Sequence, residues 1–174
     1  MNKKLLLVVS LIMSVGLQVK TFARTAALTS KETEFVKAVL KGEVEDARLL
    51  LQQGVNPNIM FNPEAIFPND RKYEVGGDLK FQTTALLASV GLGNVEMVKM
   101  LLKAKVDPNK QNTDLNGTAL EMAKNLLDHN NSILKEYSED DNYHEDHYDK
   151  YNLVSSYEEI VKILEDYNKN FRRL

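Results

Sequence analysis

The feature that most constrains the fold of this chain is an internal repeat. When residues 46–58 are aligned with residues 97–109, a leucine pair, a valine and a Pro-Asn step fall at the same positions. A third, degenerate copy at 160–167 lacks the Asn/Asp-Pro-Asn step. Self-similarity of this kind is typical of proteins in which small similar units stack on one another. The sequence therefore predicts a repeat architecture.

Each repeated segment has the pattern of a helix. Its apolar residues recur at spacings of three and four, and the Asn/Asp-Pro-Asn step that follows the first two copies cannot continue a helix. A shorter apolar segment precedes each copy. For the first of these segments, Thr29 and Glu32 have capping-box spacing and Gly42 is the stop signal. The sequence therefore predicts three helical hairpins, whose first helices include residues 32–40, 84–90 and 118–123.

Two of these first helices resemble the start of the ankyrin repeat. Residues 84–89 read Thr-Ala-Leu-Leu-Ala-Ser and residues 118–123 read Thr-Ala-Leu-Glu-Met-Ala, similar to the family's Thr-Pro-Leu-His-x-Ala but without its proline and histidine. Residues 93–102 and 106–109 resemble the family's second helix and exit turn. The resemblance implies an all-α, ankyrin-like helical-hairpin solenoid of about three repeats with two insertions, within residues 30–174. The alternative is another helical array, such as a tetratricopeptide-like stack.

The spacing of the copies locates the two insertions. The interval from Asn58 to Asn109 is 51 residues and that from Met97 to Ile160 is 63, whereas the family period is about 33 residues. Both intervals therefore contain additional chain. The predicted units are repeat 1 at about 30–58, a finger insertion at about 59–82, repeat 2 at about 83–109, and repeat 3 at about 110–170 with an acidic insertion at about 128–152.

The first 23 residues have the layout of a secretory signal peptide. Lys3 and Lys4 precede an apolar run at 5–17, and small residues follow at positions suited to cleavage after Ala23 or Ala27. The run is shorter than the roughly 20 residues that span a bilayer, which favours cleavage over an uncleaved anchor. We expect an exported protein, periplasmic or extracellular, whose mature chain does not insert in a membrane. Because the chain has no cysteine, its stability must come from packing.

The charge of the mature chain bears on its partners. Loss of three lysines with residues 1–23 would move the net charge from −3 to about −6, which argues against nucleic acid or an anionic membrane as the partner. The resemblance to ankyrin repeats implies a protein partner, and we expect no cofactor.

The finger insertion contains large apolar side chains that a solvated loop would not need. In ankyrin-like stacks the fingers project beside the concave face that holds partners, so the resemblance implies partner contacts at Phe61, Ile66, Phe67 and Tyr73. Alternatively, these side chains fold back and cover the junction between repeats 1 and 2.

The acidic insertion supplies further candidates. Asp140, Asp141 and Asp146 are suited to contact a basic partner. His144 and His147 stand three residues apart, which is metal-ligand spacing on a helix and makes them weak metal candidates. The resemblance implies no metal here, so we expect none. Sequence alone leaves open whether this segment is a loop or a helix extension.

Catalysis has little support in the sequence. The chain has no cysteine nucleophile, no phosphate-binding glycine loop and no nucleophile elbow. We therefore expect a protein–protein interaction module and not an enzyme. One alternative is a periplasmic immunity or inhibitor protein against a toxin or enzyme. A second is a periplasmic metal-binding or stress-protective factor that uses the histidine pair.

Overall fold

The computed structural model describes residues 28–67, 82–111, 117–138 and 148–171. Within these ranges the chain is mostly helical, with one pair of two-residue strands. The elements in chain order are α1 (Ser30–Lys41), α2 (Val44–Gln52), β1 (Met60–Phe61), α3 (Pro63–Ile66), β2 (Thr83–Thr84), α4 (Ala85–Gly91), α5 (Val95–Lys103), α6 (Ala119–Ser138) and α7 (Tyr148–Phe171).

The long elements form three stacked helical hairpins. Helices α1 and α2, α4 and α5, and α6 and α7 pack as pairs. The first helices of the pairs form one row, α1–α4–α6, and the second helices form another, α2–α5–α7. Side chains from all three hairpins meet between the rows, including Phe35, Leu87, Leu101 and Ile160, which are fully buried. Stacking buries apolar faces that one hairpin would leave exposed. The predicted all-α solenoid is confirmed.

Capping residues determine where the first helices begin. The Thr29 hydroxyl accepts the Glu32 backbone N–H at 3.3 Å, and the Glu32 carboxylate accepts the Thr29 backbone N–H at 2.8 Å. Gly42, at φ 78°, ends α1 as predicted. Thr118 and Glu121 make the same two bonds before α6, at 3.3 Å and 2.8 Å. The Thr118 spacing is a second capping-box signal in the sequence, beyond the one that predicts α1.

The third hairpin is longer than the other two. Helix α6 has 20 residues and α7 has 24, whereas α5 has nine. Both ends of the acidic insertion are therefore helical, up to Ser138 and again from Tyr148, while residues 139–147 lie outside the described ranges. Neither these two helices nor any other described helix is long and apolar enough to cross a membrane.

Equivalent residues of repeats 1 and 2 differ in burial. Leu101 of α5 is fully buried, but Leu50, which aligns with it, is only partly buried. Met100 is 7% exposed and its counterpart Leu49 is 53% exposed. Helix α5 packs between α2 and α7, whereas among the described helices of this row only α5 packs against α2. The matching sequence pattern therefore does not give matching burial.

Candidate protein-interaction surface

The exit turns of repeats 1 and 2 are joined by hydrogen bonds. In each turn a side-chain oxygen accepts the backbone N–H two residues later: Asn56 from Asn58 at 2.9 Å, and Asp107 from Asn109 at 3.0 Å. The Asn58 side-chain oxygen also accepts the Asp107 backbone N–H at 2.8 Å, and Lys110 donates its ammonium hydrogen to the Asn58 carbonyl oxygen. The two turns therefore form a continuous ladder along one edge of the stack.

A two-residue strand pair holds the base of the finger insertion on the stack. Strands β1 and β2 are antiparallel, with Met60 opposite Thr84 and Phe61 opposite Thr83. Thr84 is buried, and its hydroxyl accepts the Leu87 backbone N–H at 3.2 Å, which caps α4. The insertion therefore returns to the stack at the residue where the first helix of repeat 2 begins.

Phe61 is a core residue, which corrects its assignment as a partner contact. Its side chain is 2% exposed and belongs to the core cluster, whereas the side chain of Met60 before it is partly exposed. Successive side chains of a strand point to opposite faces, and β1 points Phe61 into the core. The alternative that the finger residues fold back over the junction therefore describes Phe61.

The ankyrin-repeat family model matches residues 82–113. Residues 82–113 are therefore similar to an ankyrin repeat, and we call this segment the ankyrin repeat. This repeat includes β2, α4, α5 and the turn at Asp107, the parts that carry the strand pair and the ladder. Ankyrin repeats are typically non-enzymatic interaction modules, and the match supports a protein–protein interaction module at these residues. No curated protein matches the chain.

Two predicted contact residues lie at the end of α3. The Asn62 side chain accepts the Glu64 backbone N–H at 2.9 Å and starts this short helix, which packs against α1. Ile66 is the last residue of α3 and Phe67 comes directly after it, and both are partly buried against the core. Their contact with a partner stays a prediction. The other predicted site residues lie outside the described ranges: Tyr73, Asp140, Asp141, Asp146, His144 and His147.

One ion pair connects the ankyrin repeat to the third hairpin, and another joins the two helices of that hairpin. The Lys99 ammonium lies 2.8 Å from the Glu159 carboxylate of α7 and 2.9 Å from that of Glu96, and these two carboxylates raise the pKa of Lys99. Lys124 lies 2.7 Å from Glu165 and lowers the pKa of that carboxyl. All five groups are accessible to solvent, so each pair contributes little to stability.

A cleft of about 430 Å³ lies between α2 and α5 on the row of second helices. Leu51 and Met100 are among the apolar residues that line it, and Arg48 and Lys103 are among the charged ones. In the described part of the chain, no group of three or more histidine or acidic side chains could hold a metal ion.

Proposed function

We propose that this chain is an exported ankyrin-repeat protein that binds a protein partner through its finger side. By finger side we mean α3 with Phe67, the β1–β2 pair and the exit turns at 56–58 and 107–109. The observation that carries the proposal is the hydrogen bond from the Asp107 backbone N–H to the Asn58 side chain. It ties two consecutive turns into one edge beside the base of the finger insertion.

A surface that is ordered before binding suits a partner-binding role. A partner that contacts preformed turns does not have to order them, so less of the interaction free energy is lost to conformational entropy. Ile66 and Phe67 supply apolar area at the end of this edge, since each keeps part of its side chain outside the core. Large side chains that pack closely against a partner are typical anchors of protein interfaces.

The partner experiment compares two matched variants in affinity capture from an extract of the native host. The test variant carries Ile66→Ser and Phe67→Ser. The control carries Ile163→Ser, another partly buried apolar residue packed on the core but located on α7. We expect the test variant to recover about tenfold less partner, the usual effect of losing one interface anchor, and the control to recover it in full.

Thermal melting of both variants shows whether they remain folded at the capture temperature. If folded test and control variants recover the same partner equally, the finger side is not the interface. Loss of partner from both folded variants would mean that binding is not specific to the finger side.

Export is supported by residues 1–23, with their lysines, apolar run and small residues before Ala23. Amino-terminal sequencing of the protein isolated from separated cell fractions tests it. We expect a chain that begins at Arg24 or Leu28 in the periplasmic or extracellular fraction. A chain that begins at Met1 and stays in the cytoplasm would exclude export.

A further inference from the structure

The first hairpin has an open outer face, on the side away from the ankyrin repeat. Helices α1 and α2 form a cleft of about 370 Å³ there. We call its lining the end face. Its apolar residues are Ala38, Leu49 and Leu50, and its polar residues are Glu34, Lys37, Glu43, Asp46 and Gln53.

The repeat alignment shows what kind of surface the end face is. Leu49 aligns with Met100 of α5, and Met100 lines the cleft between α2 and α5 together with Leu51. Leu49 therefore occupies the position at which the second helix of a hairpin faces the second helix of the preceding hairpin. Met100 is 7% exposed and Leu49 is 53% exposed. A repeat at the end of a stack normally presents a polar outer face, but the outermost of the described hairpins presents a residue of the interior type.

The charges around Leu49 restrict what can bind there. Three carboxylates, from Glu34, Glu43 and Asp46, line the end face together with a single ammonium group, from Lys37. The Lys41 ammonium lies 3.9 Å from the Glu43 carboxylate, and both side chains are about half exposed. A second copy of the chain would bring the same acidic surface, and like charges oppose such pairing. A basic partner is favoured instead.

We propose that the end face binds a basic amphipathic helix of a partner protein. The helix packs on α2 as α2 packs on α5, with its apolar side on Leu49 and its lysines or arginines near Glu34, Glu43 and Asp46. This binding uses neither Ile66 nor Phe67, so it goes beyond the finger-side function. Either surface can fail in experiment without the other.

The test uses the purified full chain and a synthetic amphipathic helix of leucine and lysine, about five turns long. Amide NMR shifts show where the peptide binds, and we expect them on α1 and α2, around Glu34, Leu49 and Gln53. Leu49→Gln should weaken binding about tenfold, as expected for the loss of a buried leucine contact. Tyr151→Gln is the matched control, because Tyr151 is 58% exposed on α7, and should leave the affinity unchanged.

A second variant tests the charge requirement. Asp46→Asn should weaken binding about threefold at low salt and less at high salt, because it removes one exposed charge. Since Asp46 is exposed and outside the core, this variant remains informative if Leu49→Gln perturbs the fold.

Several results would overturn the proposal. One is peptide-induced shifts in the α2–α5 cleft or at α3 in place of the end face. Another is equal affinity for the Leu49 and Tyr151 variants, or equal binding of a leucine–glutamate peptide of the same length. Sedimentation that reveals a dimer abolished by Leu49→Gln would assign the end face to a second copy of the chain.

Discussion

Tyr157 donates its hydroxyl hydrogen to the carbonyl oxygen of Gly91 at 3.1 Å. This bond links α7 to the last residue of α4, 66 positions earlier. Carbonyl groups in the last turn of a helix lack partners within that helix, and the tyrosine supplies one. Tyr157 is 2% exposed, and burial raises its pKa. The bond therefore fastens the third hairpin to the ankyrin repeat.

Replacement of Tyr157 by phenylalanine keeps the buried ring and removes the hydroxyl. We expect the free energy of unfolding to fall by about 1 kcal/mol, the net contribution of a typical hydrogen bond. Urea unfolding followed by circular dichroism measures this change. Tyr151→Phe, at an exposed position, serves as the control and should leave the midpoint unchanged. Equal midpoints for both variants and the original chain would mean that the Tyr157 bond adds nothing.

Gly54 and Gly93 both have positive φ, at 89° and 64°, but different surroundings. A methyl group on Gly54 would meet no atom within 4 Å, whereas one on Gly93 would lie 2.7 Å from the Leu153 Cδ1 atom. We expect Gly54→Ala to cost roughly 1–2 kcal/mol from backbone conformation alone. Gly93→Ala should cost about 1 kcal/mol more, because Leu153 must leave its rotamer.

A double-mutant cycle with Leu153→Ala separates the two costs at Gly93. The Gly93→Ala/Leu153→Ala variant should be more stable than the sum of the single changes predicts, since the clash is absent. Strict additivity in urea unfolding would show that Leu153 does not restrict position 93.

Leu50 and Leu101 occupy the same position of the repeat, and their truncations should differ. We expect Leu101→Ala to cost about 3–5 kcal/mol, because the fully buried side chain leaves a cavity. Leu50→Ala should cost less than half as much, because its partly buried side chain faces the end of the row. Thermal and urea unfolding compare the two variants. Equal losses would contradict the difference in burial between the two side chains.

The two capping boxes make stability depend on pH. The Thr29 backbone N–H and then its hydroxyl lower the pKa of Glu32, and Thr118 lowers the pKa of Glu121 in the same way. As the pH falls, the unfolded chain therefore protonates these two carboxylates at a higher pH than the folded chain does. The contribution of the two capping boxes to folding stability is complete above the ordinary glutamate pKa of about 4.3. It is lost as the pH falls through the lowered pKa values of the folded chain.

Urea unfolding at a series of pH values measures this dependence. The variant with Glu32→Gln and Glu121→Gln should lose less stability between neutral and acidic pH than the original chain. Glu96 and Glu165, whose pKa values are also lowered by lysine partners, keep part of the slope in that variant. Glu158→Gln, outside both boxes, is the control. An unchanged slope in the double variant would contradict the role of the boxes.

The residues that start and end the helices could be predicted from the sequence alone. Thr29 with Glu32, Gly42, and the Asn-Pro-Asn and Asp-Pro-Asn steps act within a few residues of the chain, so their spacing is sufficient to predict hairpins and their turns. The ladder from Asn58 to Asp107 was not readable in this way. It depends on two turns 49 residues apart coming side by side.

For the candidate surface too, the sequence predicts some features and the tertiary structure decides others. Sequence composition pointed to the apolar residues of the finger insertion, but it could not tell Phe61, which β1 turns into the core, from Ile66 and Phe67, which stay at its edge. The side chains at all three positions are large and apolar. Only the strand pairing distinguishes them.

By itself, the sequence determined the repeat and its helical hairpins, because helix periodicity and capping are local. The tertiary structure decided burial, because burial depends on which elements are neighbours. Leu49 and Met100 share one place in the repeat pattern, yet Leu49 is exposed and Met100 is buried. Helix α2 forms one wall of the cleft that Met100 lines, whereas the described residues that line the cleft beside Leu49 all belong to the first hairpin.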